Sequence, residues 1–119
     1  MVHLETRQKV LFIAPEGEID AHSAERMRAT IDAAFEKSPC TYMVFDFAKV
    51  GFMDSSGIGM LIGRYKQAEK RGGALALANM SEPMTRLFTL SGLAKIIRRF
   101  PSTEDAFAEF SAAGKGGAL

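Results

Sequence analysis

Hydrophobic and polar positions along the chain follow two different periods. Residues 2 to 18 read as strand: "VHLETRQ" alternates weakly, and "KVLFIAPEGEI" is apolar and rich in β-formers. The two stretches predict a hairpin around Gln8 and Lys9, with no glycine or asparagine to mark the turn. Pro15 predicts an edge, a bulge or the end of regular pairing. The period then lengthens. "SAERMRATIDAAFEK", residues 23–37, places Met27, Ile31, Ala34 and Phe35 at helical spacing, with Ser23 as its expected cap. Ser38-Pro39 stops it.

"CTYMVFDF", residues 40–47, predicts a strand covered on both faces. A second helix is predicted from Ser55 to Gly72, with Ile58, Leu61, Ile62, Tyr65 and Ala68 on one side. "ALALAN", residues 74–79, is another apolar strand. "SEPMTRLFTLSGL" predicts a third helix capped by Ser81 and ended by Gly92, with Pro83 tolerated in its first turn. "KIIRRF", residues 95–100, predicts a strand. "STEDAFAEFSAAG" predicts a fourth helix capped by Ser102, burying Ala106, Phe107 and Phe110. The order β-β-α-β-α-β-α-β-α predicts an α/β fold: about five strands in a mostly parallel central sheet and about four helices. One domain is expected over residues 1–112, with a loose tail over 113–119.

Composition narrows the function. The 119 residues are 47% hydrophobic and 24% charged, which is ordinary globular composition, and 15 basic residues against 14 acidic ones leave a net charge of +1. No strong field is available to hold nucleic acid or an anionic membrane. No apolar run approaches a membrane span and no signal peptide is evident, so a cytoplasmic protein is expected. The single cysteine, Cys40, excludes an internal disulfide and reads as a small hydrophobe at a strand start. Two histidines and one cysteine, far apart, give no metal-ligand spacing, and no cofactor is expected.

The stretch "VGFMDSSGIGMLIGRYKQ" carries the candidate chemistry. Adjacent serines at a helix start can cap it, attack a substrate, cradle a phosphate or carry one. A nucleophile requires a base; His3 and His22 are the only histidines, and "DSSG" lacks the elbow pattern, so no enzyme is expected. Gly57, Gly59 and Gly63 miss the dinucleotide fingerprint by one residue, which leaves a nucleotide or small-molecule module as the alternative. Gly59 and Gly63, four apart, are expected to allow close packing of helix on sheet. Ser55 or Ser56 is the expected N-cap, with Ile58 or Met60 exposed nearby. A phosphate is well tolerated at such a helix start.

These residues resemble the phosphorylation-site segment of the anti-sigma factor antagonists of the STAS domain family. The resemblance continues in "GEIDAHSAERMR" and "SEPMTRLFTLSGLAKIIRRF" and spans nearly the whole chain. It implies a switch in sporulation or in general stress. The unphosphorylated antagonist binds an anti-sigma factor that is also a serine kinase, and the sigma factor is released. Phosphorylation ends that binding and a serine phosphatase restores it. By motif the resemblance implies Ser56 as the acceptor, with Ser55 beside it and Asp54 and Gly57 shaping the turn. It implies Asp20 on the partner surface. Where the family often has two histidines after that aspartate, this chain has Ala21 and His22, and His22 is the candidate contact. Ile58 completes the expected partner-binding set.

Overall fold

The computed structural model describes residues 1–117. The chain forms β1 (Val2–Arg7), β2 (Val10–Ile19), α1 (Ala21–Lys37), β3 (Tyr42–Asp46), β4 (Lys49–Met53), α2 (Ser55–Lys70), β5 (Leu75–Ala78), α3 (Glu82–Leu90), a 3-10 turn (Leu93–Lys95), β6 (Arg98–Phe100) and α4 (Thr103–Gly117). The sheet has six strands in the order β1-β2-β3-β5-β6, and β4 joins it by pairing with β2. Among the described strands only β1 is antiparallel to its neighbour. The α/β fold and the hairpin are as expected. Gln8 makes the turn with φ 56°.

The strand alternation sorts side chains between two layers. Leu11, Ile13, Met43, Phe45, Leu75 and Leu77 face a core shared with α1, α2 and α3. Val10, Val44, Ala76 and Ala78 face the other side, where Ala106 and Phe110 of α4 cover them. In β5 the leucines thus point to one layer and the alanines to the other, the two-residue period of a strand. Phe110 stacks on Tyr42 at 4.6 Å, closing the α4 layer.

Several boundaries differ from the expectation. The sixth strand, β4, was not expected. Its pattern is broken, because Val50 and Met53 are buried while Gly51 and Phe52 are exposed. It forms because β2 outlasts β3. Residues Val10 to Ile13 of β2 pair with β3, and Glu16 to Ile19 pair with β4, so Pro15 sits at the change of partner. A bulge at Gly17, with φ 95°, leaves Gly51 as the extra residue opposite it. The strand expected over 95–100 shrinks to Arg98–Phe100, because the chain makes a 3-10 turn after Gly92. Helix α4 continues to Gly117, so the boundary expected at residue 113 falls inside it; residues 118 and 119 lie outside the described residues.

Arg71 fastens the far end of this framework. Its Nη1 donates to the carbonyls of Phe35, Ser38 and Cys40 at 2.9, 3.3 and 2.8 Å. Its guanidinium carbon lies 3.9 Å from the centroid of the Phe35 ring. The end of α2 is thereby tied to the segment that carries α1 into β3. Cys40 is fully buried there, as a small hydrophobe would be.

Candidate functional site

The site begins with the ends of two parallel strands. β2 ends at Ile19 and β4 at Met53, each followed by an aspartate and a helix. The Asp54 amide donates to the Ile19 carbonyl at 3.0 Å. Because β2 and β4 are parallel neighbours, α1 and α2 start side by side. The carboxyl ends of the strands therefore gather the candidate residues, as in other open α/β sheets.

Both helices are capped by these aspartates. Asp20 closes a reciprocal box with Ser23: Ser23 N donates to Asp20 Oδ1, and Asp20 N donates to Ser23 Oγ, both at 2.9 Å. The Ser23 hydroxyl also donates to the Glu18 carbonyl at 3.0 Å. Ser23 is thus the third residue of α1 rather than its cap. The bond from the Ser23 amide, followed by that from its hydroxyl, holds the Asp20 carboxyl below its ordinary value. In α2 the Asp54 Oδ1 accepts from Ser56 N at 2.8 Å. Asp54 is therefore the cap, and Ser55 and Ser56 are the first two residues of the helix. The cap expected at one of the serines lies one residue upstream because β4 closes at Met53, which leaves Asp54 as the residue that enters the helix.

That displacement frees both serines of a capping duty. Ser55 is exposed and Ser56 half-buried. Gly57 is buried, and a side chain there would strike Met53 and approach Ile19 Cγ2 at 3.2 Å. His22 is exposed on the first turn of α1. Asp20, His22, Asp54, Ser55, Ser56 and Gly57 thus share one end of the molecule. Ile58 does not join them: it is 9% exposed and belongs to the core, as does Met60 at 5%. Both pack into the main core, and Met60 also lines the cleft between α1 and α2.

Gly59 and Gly63 also differ from the expectation. Neither presses on the sheet; a methyl group at either would meet nothing within 4 Å. They face an open cleft between α1 and α2, of about 360 Å³, with Ser56 on one wall and Ala21 and Ala24 on the other. The cleft also holds a residue that the sequence reading missed. Arg64 is 6% exposed and lies 2.9 Å, through Nε, from Asp32 Oδ1. Burial pushes its guanidinium pKa down, and the Asp32 carboxylate opposes that. The available signal was position: Arg64 falls between Leu61 and Ala68 on the buried stripe, where a charge needs a partner.

A phosphate cradle fits this geometry poorly. The amides that would seek an anion already face the carboxylates of Asp20 and Asp54. Among the described residues no group of three His, Cys, Asp or Glu side chains is placed to hold a metal. None of the described helices is long and apolar enough to cross a membrane.

A mostly parallel sheet covered on both faces, with a D-S-S-G helix start at its carboxyl edge, defines the class: the STAS domain model matches residues 1–106, and the chain belongs to the STAS domain family. Within that class it is similar to anti-sigma factor antagonists. An anti-sigma F factor antagonist of Paenibacillus polymyxa is 33% identical over 108 residues, covering 91% of this chain and 92% of the relative. The solved structure of the anti-sigma factor antagonist SpoIIAA in its unphosphorylated form is 30% identical, with a TM-score of 0.83 over 94% of this chain and 97% of that one. The structure of the Bacillus cell fate determinant SpoIIAA in its phosphorylated form is 32% identical, with a TM-score of 0.72 over 92% and 98%.

Proposed function

We propose that this chain is an anti-sigma factor antagonist, switched by phosphorylation in the first turn of α2. The unphosphorylated protein binds an anti-sigma factor that is also a serine kinase, and the sigma factor is released. Phosphorylation ends the binding, and a serine phosphatase resets it. The protein acts by binding and carries out no chemistry of its own. The observation that carries this reading is the pair of serines beside the capping carboxylate of Asp54, with the cap of α1 alongside. One solved relative, SpoIIAA, occurs in a phosphorylated form, which supports the same kind of modification here.

Physical chemistry gives the switch its force. A phosphoryl group in the first turn gains about 0.3–1 kcal/mol from the helix dipole, so the fold carries it. Its charge of nearly −2 is presented to the partner across the interface. At ~6 Å and an effective dielectric near 20, each pair of like unit charges there costs roughly 3 kcal/mol before screening. Facing the nucleotide phosphates of a kinase, such pairs cost several kcal/mol in all. A tenfold loss of affinity needs only ~1.4 kcal/mol.

The motif carries the acceptor to Ser56. Exposure favours Ser55, because a kinase must reach the hydroxyl and Ser56 is half-buried at the cleft. The decisive experiment incubates the wild type, Ser55→Ala and Ser56→Ala with the cognate kinase and ATP, and maps the phosphate by mass spectrometry. One of the two alanine variants should lose the modification, bind the kinase and remain locked in the bound state. Aspartate at the same position should bind at least tenfold more weakly. Phosphate elsewhere, or none, would end this reading.

A further inference from the structure

Arg64 lines the cleft between α1 and α2, and together with Asp32, which adjoins it but does not line the cleft, it carries a hydrogen-bonding imbalance that the phosphorylation switch does not use. The Arg64 side chain is 7% exposed. Its Nε donates to Gln67 Oε1 at 3.0 Å. Its Nη1 is buried without an acceptor, and Asp32 Oδ1, beside it, is buried without a donor. The two charges meet at 2.9 Å, but no hydrogen bond joins them. Buried polar groups of native domains are paired in the great majority of cases, so this donor and acceptor call for a partner.

Charge restricts what that partner is. Arg28 pairs with Glu25 and, at 3.3 Å, with Asp32 Oδ2. Two cations are therefore balanced by two anions. A further anion would meet Asp32 and Glu25, and a further cation would meet two guanidiniums. An uncharged group that both accepts and donates fits, and among side chains the carboxamide of Asn or Gln supplies both from one planar end. The approach is open, because Gly59 and Gly63 leave free space and alanines face them. Ser56 stands in the same cleft, so the cleft continues the surface on which the antagonist meets its kinase.

We propose that this cleft seats one Asn or Gln side chain of the anti-sigma partner. Its oxygen takes the free N–H of Arg64 Nη1, and its amide group donates to Asp32 Oδ1. Both atoms are closed to solvent in the free domain and Asp32 is not part of the cleft wall, so a turn of the Arg64 guanidinium is what opens Asp32 to the incoming side chain. The inference rests on the antagonist reading.

The test is affinity for the kinase anti-sigma factor of the same genome, measured by calorimetry with wild type, Gly63→Leu and Arg64→Lys. Leucine at 63 fills the cleft where nothing obstructs it, so its melting temperature should hold or rise while affinity falls at least tenfold. Arg64→Lys, which keeps the charge and loses the planar fork, should weaken binding by a similar factor. Because the occupant is neutral, the ratio of wild-type to Gly63→Leu affinity should be the same at low and high salt. A ratio that collapses with salt would mean a charged occupant and overturn the proposal. A folded Gly63→Leu with wild-type affinity overturns it as well, while the antagonist reading stands. A wild type that binds no kinase removes both.

Discussion

The backbone amide of Asp54 donates to the carbonyl of Ile19 over 3.0 Å, setting the residue that caps α2 level with the last residue of β2. The cap of α1, Asp20, is the next residue. Two helix starts, two carboxylates and two serine hydroxyls are brought to one edge by this pairing of β2 with β4.

Removing one cap tests how far the serines depend on it. Asp54→Ala should cost about 1 kcal/mol of stability, the usual value for a lost N-cap, and Asp54→Asn much less. Urea unfolding measures the loss. Hydrogen exchange should show faster exchange at Ser56, whose amide then lacks its acceptor. Unchanged protection at Ser56 in Asp54→Ala would show that the cap does not order the turn.

Two glycines should differ sharply. A methyl at Gly57 meets the flexible Met53 side chain and Ile19, so Gly57→Ala should cost about 1–3 kcal/mol as Met53 moves aside. A methyl at Gly73 meets the backbone carbonyl of Thr41, which cannot move without disturbing the entry to β3. Gly73→Ala should cost on the order of 4 kcal/mol or more. Thermal or urea denaturation of both variants should give that order, and the reverse order would refute the packing argument.

Arg71 holds three carbonyls and covers Phe35, although it sits at the surface. Arg71→Met should lower stability by about 1.5–3 kcal/mol, the usual range for hydrogen bonds to a charged donor. Arg71→Lys should recover only part, since an ammonium supplies donors but no plane to lie on the ring. Equal stability of all three proteins would mean that the clamp contributes nothing.

Acid should loosen α1 through Asp20. Its folded pKa is held below the ordinary 3.8 by the bonds from Ser23. A depressed carboxylate pKa adds stability in full above the unfolded value and loses it as pH falls through the folded one. Wild type should therefore lose stability more steeply below pH ~4 than Asp20→Asn, whose capping amide does not titrate. Urea midpoints measured from about pH 6 down to 2.5 compare the slopes, and parallel slopes would contradict this.

Much of the fold is legible along the chain because it rests on local periods. Met27, Ile31 and Phe35 mark the buried face of α1, and "LALA" marks a strand covered twice. Ser81 and Ser102 cap their helices through bonds to Met84 N and Asp105 N, as their positions predict. The two caps at the site were misplaced for one reason. Each helix start offers an aspartate and a serine within a few residues, and local spacing does not choose between them. The strand end chooses: once Ile19 and Met53 close their strands, the next residue is the one left to cap.

The sequence by itself determined the elements, the two-faced burial of the sheet and, through its D-S-S-G motif, the segment on which function turns. Tertiary structure decided which residues share that edge. Asp20 and Asp54 are 34 positions apart and become neighbours only because β2 runs on past β3 and takes β4 as a second partner. It also decided that Ile58 turns inward, that Gly59 and Gly63 open onto a cleft, and that Arg64 is buried against Asp32. A periodic pattern says that a residue has a buried face. What lies on the other side of that face is fixed by the pairing of distant segments, which no local pattern encodes.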